Sequence, residues 1–379
     1  MSKWKKVKLG DVATYINGCA FKPSDWSFQG VPIVRIQNLT GSFSETNYYD
    51  KPYNPKYEIN NGDVLISWSA SLGVYVWNKG TAILNQHIFK VVFDKINIDK
   101  NYFVFAVKSL LEKMEKQTHG ATMKHITKPL FDNMSFPLPE MEEQKKIAAR
   151  LDAVSDLLAK QKQLLAEQDT LIQSLFYDMF GDLEKQPKFS VKKLSDICQL
   201  ITDGVHKKPT YTECGIPFIS VKDITTGKLC FDQCKFISIE DHNTYCSRCF
   251  PEYNDILYTK VGATYGRAAI VDTHKQFSLY VSVALLKPKK EIIDSIFFKN
   301  MLNTAFVKNQ ADRSIKGIGV PDLHLVEIKK FKVIIPPLEL QEKFAAIVEQ
   351  IESEKSKIKS AIAETQTLFN ALMAEYFEE

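Results

Sequence analysis

No run of eighteen apolar residues occurs in the 379-residue chain, so no segment has the length of an apolar membrane-crossing helix. The opening MSKWKKVKLGDV is charged with no apolar stretch behind it, unlike a secretory signal. A cytoplasmic protein is expected, its seven cysteines held as reduced thiols. A phosphate-binding glycine loop is also missing. Gly317-Ile318-Gly319 lacks a third glycine and the strand–helix setting such a loop needs. Asn54-Pro55-Lys56-Tyr57 has lysine where an adenine methyltransferase motif needs a second proline. Pro321-Asp322 and Glu327-Ile328-Lys329 stand too close together for a carboxylate–lysine nuclease site. Lys128-Pro129 and Asp132-Asn133 do not reproduce that pattern. These absences argue against catalysis and against a bound cofactor. Glycine and proline are both missing from Glu140–Phe180 and from residue 338 onward, so nothing interrupts a helix in either stretch.

What is present is enough apolar residue, 45%, for more than one core, and a chain long enough for two domains. The net charge of +4 is unevenly spread. Residues 1–139 carry 17 Lys and Arg against 11 Asp and Glu, and 140–180 carry 5 against 8. Residues 181–336 carry 23 against 17, and 337–379 carry 4 against 9. Two basic segments thus alternate with two acidic ones; the basic pair suits phosphates and the acidic pair does not.

The alternation follows an internal duplication. Lys8-Leu9-Gly10-Asp11 returns as Lys193-Leu194-Ser195-Asp196, and VPIVRIQNLT at 31–40 returns as IPFISVKDIT at 216–225. Asp63-Val64-Leu65 returns as Asp255-Ile256-Leu257, Pro139 with Gln144 as Pro336 with Gln341, and SLFYDMF at 174–180 as ALMAEYF at 371–377. The order is globule, helix, globule, helix. Period and composition predict strands at 31–36, 64–67, 74–77 and 87–93, repeated at 216–221, 256–259, 268–271 and 281–286. Helices are expected at 101–117 and 293–309. Each globule reads as mixed α/β.

The two uninterrupted helices carry a seven-residue period. Ile147, Leu151, Val154, Leu158, Gln161, Leu165, Gln168, Ile172, Leu175 and Met179 follow steps of four and three. Phe344, Val348, Ile351, Lys355, Ile358, Ile362, Thr365, Phe369, Leu372 and Tyr376 repeat them. A period of seven held over that length predicts a coiled coil rather than a helix lying on a globule. Leu157, Leu164 and Leu171 form a second apolar row, suited either to a partner protein or to the chain's own globules.

Cys230 and Cys234 with Cys246 and Cys249, near Cys198 and Cys214, have the spacing of a zinc clip. The first copy has only Cys19, so plain thiols are the expected reading and no metal is assigned.

Over nearly its whole length the chain resembles the specificity subunit of type I restriction–modification enzymes. The resemblance rests on the KLGD-type openings, FPLPEMEEQKKIAARLD at 136–152, IIPPLELQEKFAAIVEQIE at 334–352, DGVHKKPTY at 203–211 and DILYTKVGATYGRAAIV at 255–271. It implies an α+β, internally duplicated architecture: two mixed α/β target-recognition domains, 1–139 and 181–336, separated by long antiparallel coiled-coil helices, 140–180 and 337–379. It further implies that each domain reads half of a split, asymmetric site in double-stranded DNA. The helices would dock the methyltransferase subunits, two of them, which modify adenine; restriction/translocase subunits would join that complex. In the first domain Ser67-Trp68-Ser69-Ala70-Ser71-Leu72-Gly73 stands where Thr259 to Gly266 stands in the second, one residue shorter.

Candidate DNA contacts follow from donor chemistry and from glycines that permit close backbone approach. In the second domain they are His206, Lys207, Lys208, Lys222, Lys260, Thr264, Tyr265, Arg267 and Lys316. In the first they are Lys22, Arg35, Gln37, Ser69, Asn85, Gln86, His87 and Lys124. Leu157, Leu164, Leu171, Gln144 and Gln341 are the candidate subunit-docking residues. Two rival functions fit the same architecture: a free-standing DNA-binding regulator, and an adaptor whose globules bind protein.

Overall fold

The computed structural model describes residues 4–41, 46–117, 126–183, 188–316 and 319–378. The chain divides into two compact units, Met1–Gln163 with Lys359–Glu379, and Leu164–Ile358. Each unit therefore takes a globule together with half of each long helix.

In the first unit β1 (Lys6–Lys8) pairs antiparallel with β10 (Ser135–Pro137). A four-stranded antiparallel sheet has the order β2 (Thr14–Asn17), β9 (Ile88–Val92), β6 (Val64–Ser67), β7 (Gly73–Val76). A second sheet runs β4 (Tyr48–Tyr49), β3 (Val31–Val34), β8 (Ala82–Leu84), β5 (Glu58–Ile59), with β3 and β8 parallel. In the second unit β11 (Ser190–Lys193) pairs with β19 (Lys332–Ile335). Its four-stranded sheet is β12 (Cys198–Asp203), β18 (Val283–Pro288), β15 (Ile256–Thr259), β16 (Ala268–Ile270). Its smaller sheet is β14 (Lys235–Ile237), β13 (Ile216–Ile219), β17 (Ser278–Leu279), with β13 and β17 again parallel. The duplication read from the sequence is therefore a duplication of topology, short of one edge strand in the second copy.

The central strands are buried on both faces, which explains their unbroken apolar runs. Successive side chains of a strand point to opposite faces. Val64 and Ile66 enter the core that holds α2 (Lys100–Gln117), whereas Leu65 enters the core of the small sheet. Ile256 and Tyr258 are divided from Leu257 in the same way.

Two expected elements are corrected. The strand expected at 31–36 stops at Val34, and α1 (Ile36–Thr40) follows. The Asn38 side chain accepts from Arg35 N–H at 2.9 Å, and Gly41 ends the turn at φ +89°. The single helix expected at 293–309 is two, α7 (Ser295–Leu302) and α8 (Ala305–Ser314). Asn303 leaves the helix to pair with Ala268 on β16, donating to its carbonyl and accepting from its N–H, both at 3.0 Å. Thr304 then caps the next helix. Four further short helices are α3 (Lys128–Asp132), α5 (Leu194–Ile197), α6 (Ile239–Cys246) and α9 (Leu325–Ile328).

The long helices are α4 (Met141–Phe180) and α10 (Leu338–Phe377), each of 40 residues. Burial along both recurs in steps of four and three at the positions expected from the sequence. The seam includes its polar members: Lys355 is 5% exposed and Thr365 is buried, while Gln161 and Gln168 are half-buried. In the first unit Ile147 and Leu151 of α4 share a core with Phe369, Met373 and Tyr376 of α10. Arg150 donates to the Tyr376 hydroxyl at 2.8 Å. In the second unit Ile172, Phe176 and Phe180 share a core with Phe344, Val348 and Ile351. Within each unit the start of one helix meets the end of the other.

Gln144 and Gln341 are not surface docking residues, which corrects the sequence reading. Both are buried. Gln144 Oε1 accepts from Asp99 N–H at 2.9 Å, and its Nε2 donates to Pro139 O at 2.8 Å. Gln341 does the same with Asp294 N–H at 2.9 Å and Pro336 O at 2.8 Å, and also donates to Ile292 O at 3.2 Å. Asp294 caps α7 and Asp99 caps α2. Each glutamine thus clamps a long helix to the start of a helix in its own globule.

Candidate nucleic-acid interface

In the second unit four segments converge at one end of the larger sheet. The first leaves β12 at Asp203 and passes close to β17. A Cβ on Gly204 would lie 2.0 Å from Leu279 O, so only glycine fits there. His206, Lys207 and Lys208 follow, all exposed. The second segment begins at Lys260, just beyond β15. Its N–H donates to Ser282 O at 2.9 Å, and its carbonyl accepts from Leu323 N–H at 2.8 Å, tying it to the third and fourth segments. In the fourth, Lys316 and Asp322 exchange backbone hydrogen bonds of 3.0 Å.

The buried carboxylate of Asp203 organises this end. Oδ1 accepts from Arg248 at 2.6 Å and lies 3.1 Å from His206 Nε2, while Oδ2 lies 3.3 Å from Lys260 Nζ. Lys260, expected to face DNA, is only 6% exposed and also lies 3.8 Å from Asp322. Its charge holds the loops together, because a buried ammonium requires an anionic partner. Lys316 is exposed, 3.8 Å from Glu327.

The remaining candidates of this unit do not bond Asp203 or its partners Arg248, His206 and Lys260. Lys222 donates to Gln233 O at 3.2 Å. The Tyr265 hydroxyl donates to Asp312 at 2.6 Å, and Lys308 sits over its ring at 3.8 Å, so it is packed against α8. Thr264 is exposed, and its carbonyl accepts from the Thr259 hydroxyl. Arg267 is exposed on a different cleft of about 300 Å³, shared with Lys228, Lys299 and Glu352. There Glu352 bonds Lys228 and Lys355, which against the opposing effect of burial hold its carboxyl down at about 2.

The first unit repeats the construction. The chain leaves β2 at Asn17, and a Cβ on Gly18 would lie 2.1 Å from Asn85 O. This loop, carrying the exposed candidate Lys22, is the counterpart of Gly204–Lys208, a correspondence the sequence reading missed. Its signal was there: Gly18 and Lys22-Pro23 sit 186 residues before Gly204 and Lys208-Pro209. Trp68 stands where Lys260 stands: its N–H donates to His87 O at 3.3 Å, and its carbonyl accepts from Ile126 N–H at 3.0 Å. Its indole donates to Asn17 Oδ1 at 3.3 Å. Arg35, Gln37, Asn85 and His87 line one small cleft of about 180 Å³, and Gln86 Nε2 lies 3.1 Å from His87 Nε2. Ser69 is half-buried beside Trp68. Arg35 lies over the Trp26 ring at 5.2 Å, and Phe28 is fully exposed. Lys124 lies outside the described residues, as do Gly317 and Ile318.

Leu157, Leu164 and Leu171 on α4 are 48%, 44% and 48% exposed. Cys198 and Cys249 are buried, which pushes both thiols up to about 12. Among the described residues no three His, Cys, Asp or Glu side chains gather closely enough to hold a metal. No described helix is long and apolar enough to cross a membrane. Asn54 caps the short turn Pro55–Tyr57, and Asp322 and Glu327 are engaged with the lysines named above and with Lys330.

The family model described as "Type I restriction modification DNA specificity domain" matches residues 1–168 and 187–365. The type I restriction enzyme EcoBI specificity subunit of Escherichia coli is 26% identical over 99% of this chain and 85% of its own length. The MjaVIII specificity subunit of Methanocaldococcus jannaschii is 23% identical over 94% of this chain and 90% of its own. The crystal structure of a type I restriction–modification S subunit from M. genitalium covers this whole chain and aligns over 96% of its own, with TM-score 0.59 and 16% identity. That likeness is one of fold.

Proposed function

Because the chain belongs to the type I restriction–modification DNA specificity family, we propose that it reads a two-part, asymmetric DNA site through one loop cluster per globule. The supporting observation is the duplicated cluster itself. In both units a glycine-enabled loop, the turn after the central strand and the turn before its neighbour meet at one end of a sheet. Exposed lysines and amides there can bind phosphates and base edges. On this reading α4 and α10 form an antiparallel coiled coil that holds the readers apart, supported by burial in steps of four and three. Leu157, Leu164 and Leu171 are an apolar row open to the methyltransferase subunits, two per chain, with restriction/translocase subunits joining that complex. Catalysis is theirs: the chain alone neither methylates nor cuts.

Mapping methylated adenines across a genome with and without this gene tests the reading. A split motif that vanishes on deletion supports it. Exchanging residues 1–139 for those of a relative should change one half of the motif and leave the other. If methylation persists unchanged on deletion, or the assembled complex binds DNA without salt sensitivity, the reading fails.

A further inference from the structure

Arg248 lies between Cys246 and Cys249, inside the cysteine pair weighed as a zinc clip, and is not among the candidate DNA contacts read from the sequence. The fold brings it to the DNA-facing loops. Its Nη2 donates to Asp203 Oδ1 at 2.6 Å and lies 3.3 Å from His206 Nε2, at the root of the Gly204–Lys208 loop. The two side chains of that pair are opposite in exposure: Asp203 is almost wholly buried, and Arg248 is 56% exposed. One edge of the guanidinium is fixed from inside while other donors of its planar fork face outward. An arginine held in this way has lost much of its rotamer freedom before a ligand arrives, which favours directional, two-bond recognition over loose charge attraction.

The first unit supplies an independent observation. At the position of Asp203 it has Asn17, and at the position of Lys260 it has Trp68. The buried acid–ammonium contact of 3.3 Å is replaced there by an amide–indole hydrogen bond of 3.3 Å. Either pair ties the loop to the turn after the central strand. Closing the loop therefore does not require a buried charge. The carboxylate is present in the copy that has an arginine to hold.

We propose that Arg248 is a base-reading residue of the second globule, positioned by Asp203, and that it recognises the O6/N7 edge of one guanine in its half-site. The proposal rests on the reading that these loops face DNA. Asp203 and Asp322 together balance Lys260 and Arg248, so the match to guanine lies in the outward-facing guanidinium donors, which suit an edge made of acceptors.

The test uses the full chain assembled with its methyltransferase subunits. The probes are duplexes carrying the motif found by methylation mapping, with 7-deazaguanine placed at each guanine in turn. Wild-type complex should lose about 5- to 150-fold in affinity at one second-half-site guanine, the range expected for a bidentate base contact. Arg248→Ala should be insensitive to that one substitution and accept other bases there, and Arg248→Lys should not restore discrimination. Asp203→Leu with Lys260→Met removes both buried charges together. That double change should leave the melting temperature near wild type, since apolar replacement of a buried ion pair is often neutral, yet it should lose the same discrimination. Undiminished discrimination in Arg248→Ala overturns the proposal. So does a uniform loss of affinity across all sequences, which would mark a phosphate contact. Lys207→Ala with Lys208→Ala separates the two layers: if that variant also binds DNA unchanged at every salt concentration, the DNA-facing reading itself fails.

Discussion

Replacing Gln341 by leucine should destabilise the second unit by about 3 kcal/mol. Leucine roughly preserves the side-chain volume, so the loss reports hydrogen bonding rather than a cavity. The Asp294 N–H and the Pro336 carbonyl each lose a partner in a buried setting, and an unsatisfied buried group costs about 1–3 kcal/mol. Ile292 O loses a longer contact at 3.2 Å. For a unit of this size the melting point should fall by about 6–12 °C, at roughly 2–4 °C per kcal/mol. Gln341→Glu supplies a sign test. One carboxylate oxygen can still accept from Asp294 N–H, but the other would face two carbonyl oxygens. The folded-state pKa of that glutamate is therefore raised. Its penalty is absent below the unfolded value of about 4.3 and grows as pH rises toward the folded value. All four tryptophans, Trp4, Trp26, Trp68 and Trp77, lie in the first unit, so indole fluorescence follows that unit and is silent on the second. Amide exchange at Asp294 together with circular dichroism in urea is the assay, and Gln144→Leu read by fluorescence is its companion. If Gln341→Leu unfolds within about 0.5 kcal/mol of wild type, the surface-change range, and Asp294 keeps its exchange protection, the clamp is refuted.

Glu352→Gln should cost up to about 3 kcal/mol at neutral pH, a ceiling set by about 1.4 kcal/mol for each tenfold change in proton affinity. Glu352 is held down from 4.5 to about 2, so its contribution is complete above pH 4.5 and fades as pH falls toward 2; melting curves of variant and wild type should converge there, and parallel curves would refute the pairing. Changing Leu157, Leu164 and Leu171 together to glutamine should leave helicity intact while methyltransferase subunits no longer copurify; unchanged copurification removes that row from the interface. Inserting seven matched residues into both α4 and α10 keeps the heptad phase and adds about 10 Å of helix. The spacer of the methylated motif should then grow by about three base pairs, with weaker binding because the duplex also turns by about 100°. A folded variant that methylates the original spacing at full rate would rule out the helices as a ruler.

The parts of the fold legible in the sequence are those where one pattern dominates locally. Strands at 64–67 and 256–259 are apolar on both faces, and α4 and α10 lack any breaker. The break at Asn303 was hidden because its cause is a strand 35 residues earlier. The site was legible as loops and largely illegible as side chains. Lys260 reads as a surface cation until Asp203, 57 positions away, is seen beside it. Gln144 and Gln341 were recognisable as a repeated pair, but nothing local shows which way a helical glutamine points. Arg248 gave no signal at all, since its role depends on a carboxylate 45 residues away.

The ladders β1–β10 and β11–β19 bear on how such a protein can change over generations. Each globule opens and closes on a pair of neighbouring strands, Lys6 opposite Pro137 in one and Ser190 opposite Ile335 in the other. Entry and exit are thus about 4.8 Å apart, one strand spacing. The helical scaffold registers that narrow doorway, the glutamine clamp beside it and one apolar patch of each globule, Tyr102 and Phe105 against Phe377 and Phe369 in the first and Phe297 against Phe176 and Phe180 in the second. Segments away from those contacts can lengthen or shorten, as the extra edge strand of the first copy and α6 of the second illustrate. On the proposed reading, recombination at those two doorways with a relative that keeps these contacts would deliver a new reading head, so target preference would change by cassette exchange while α4 and α10 stay unaltered.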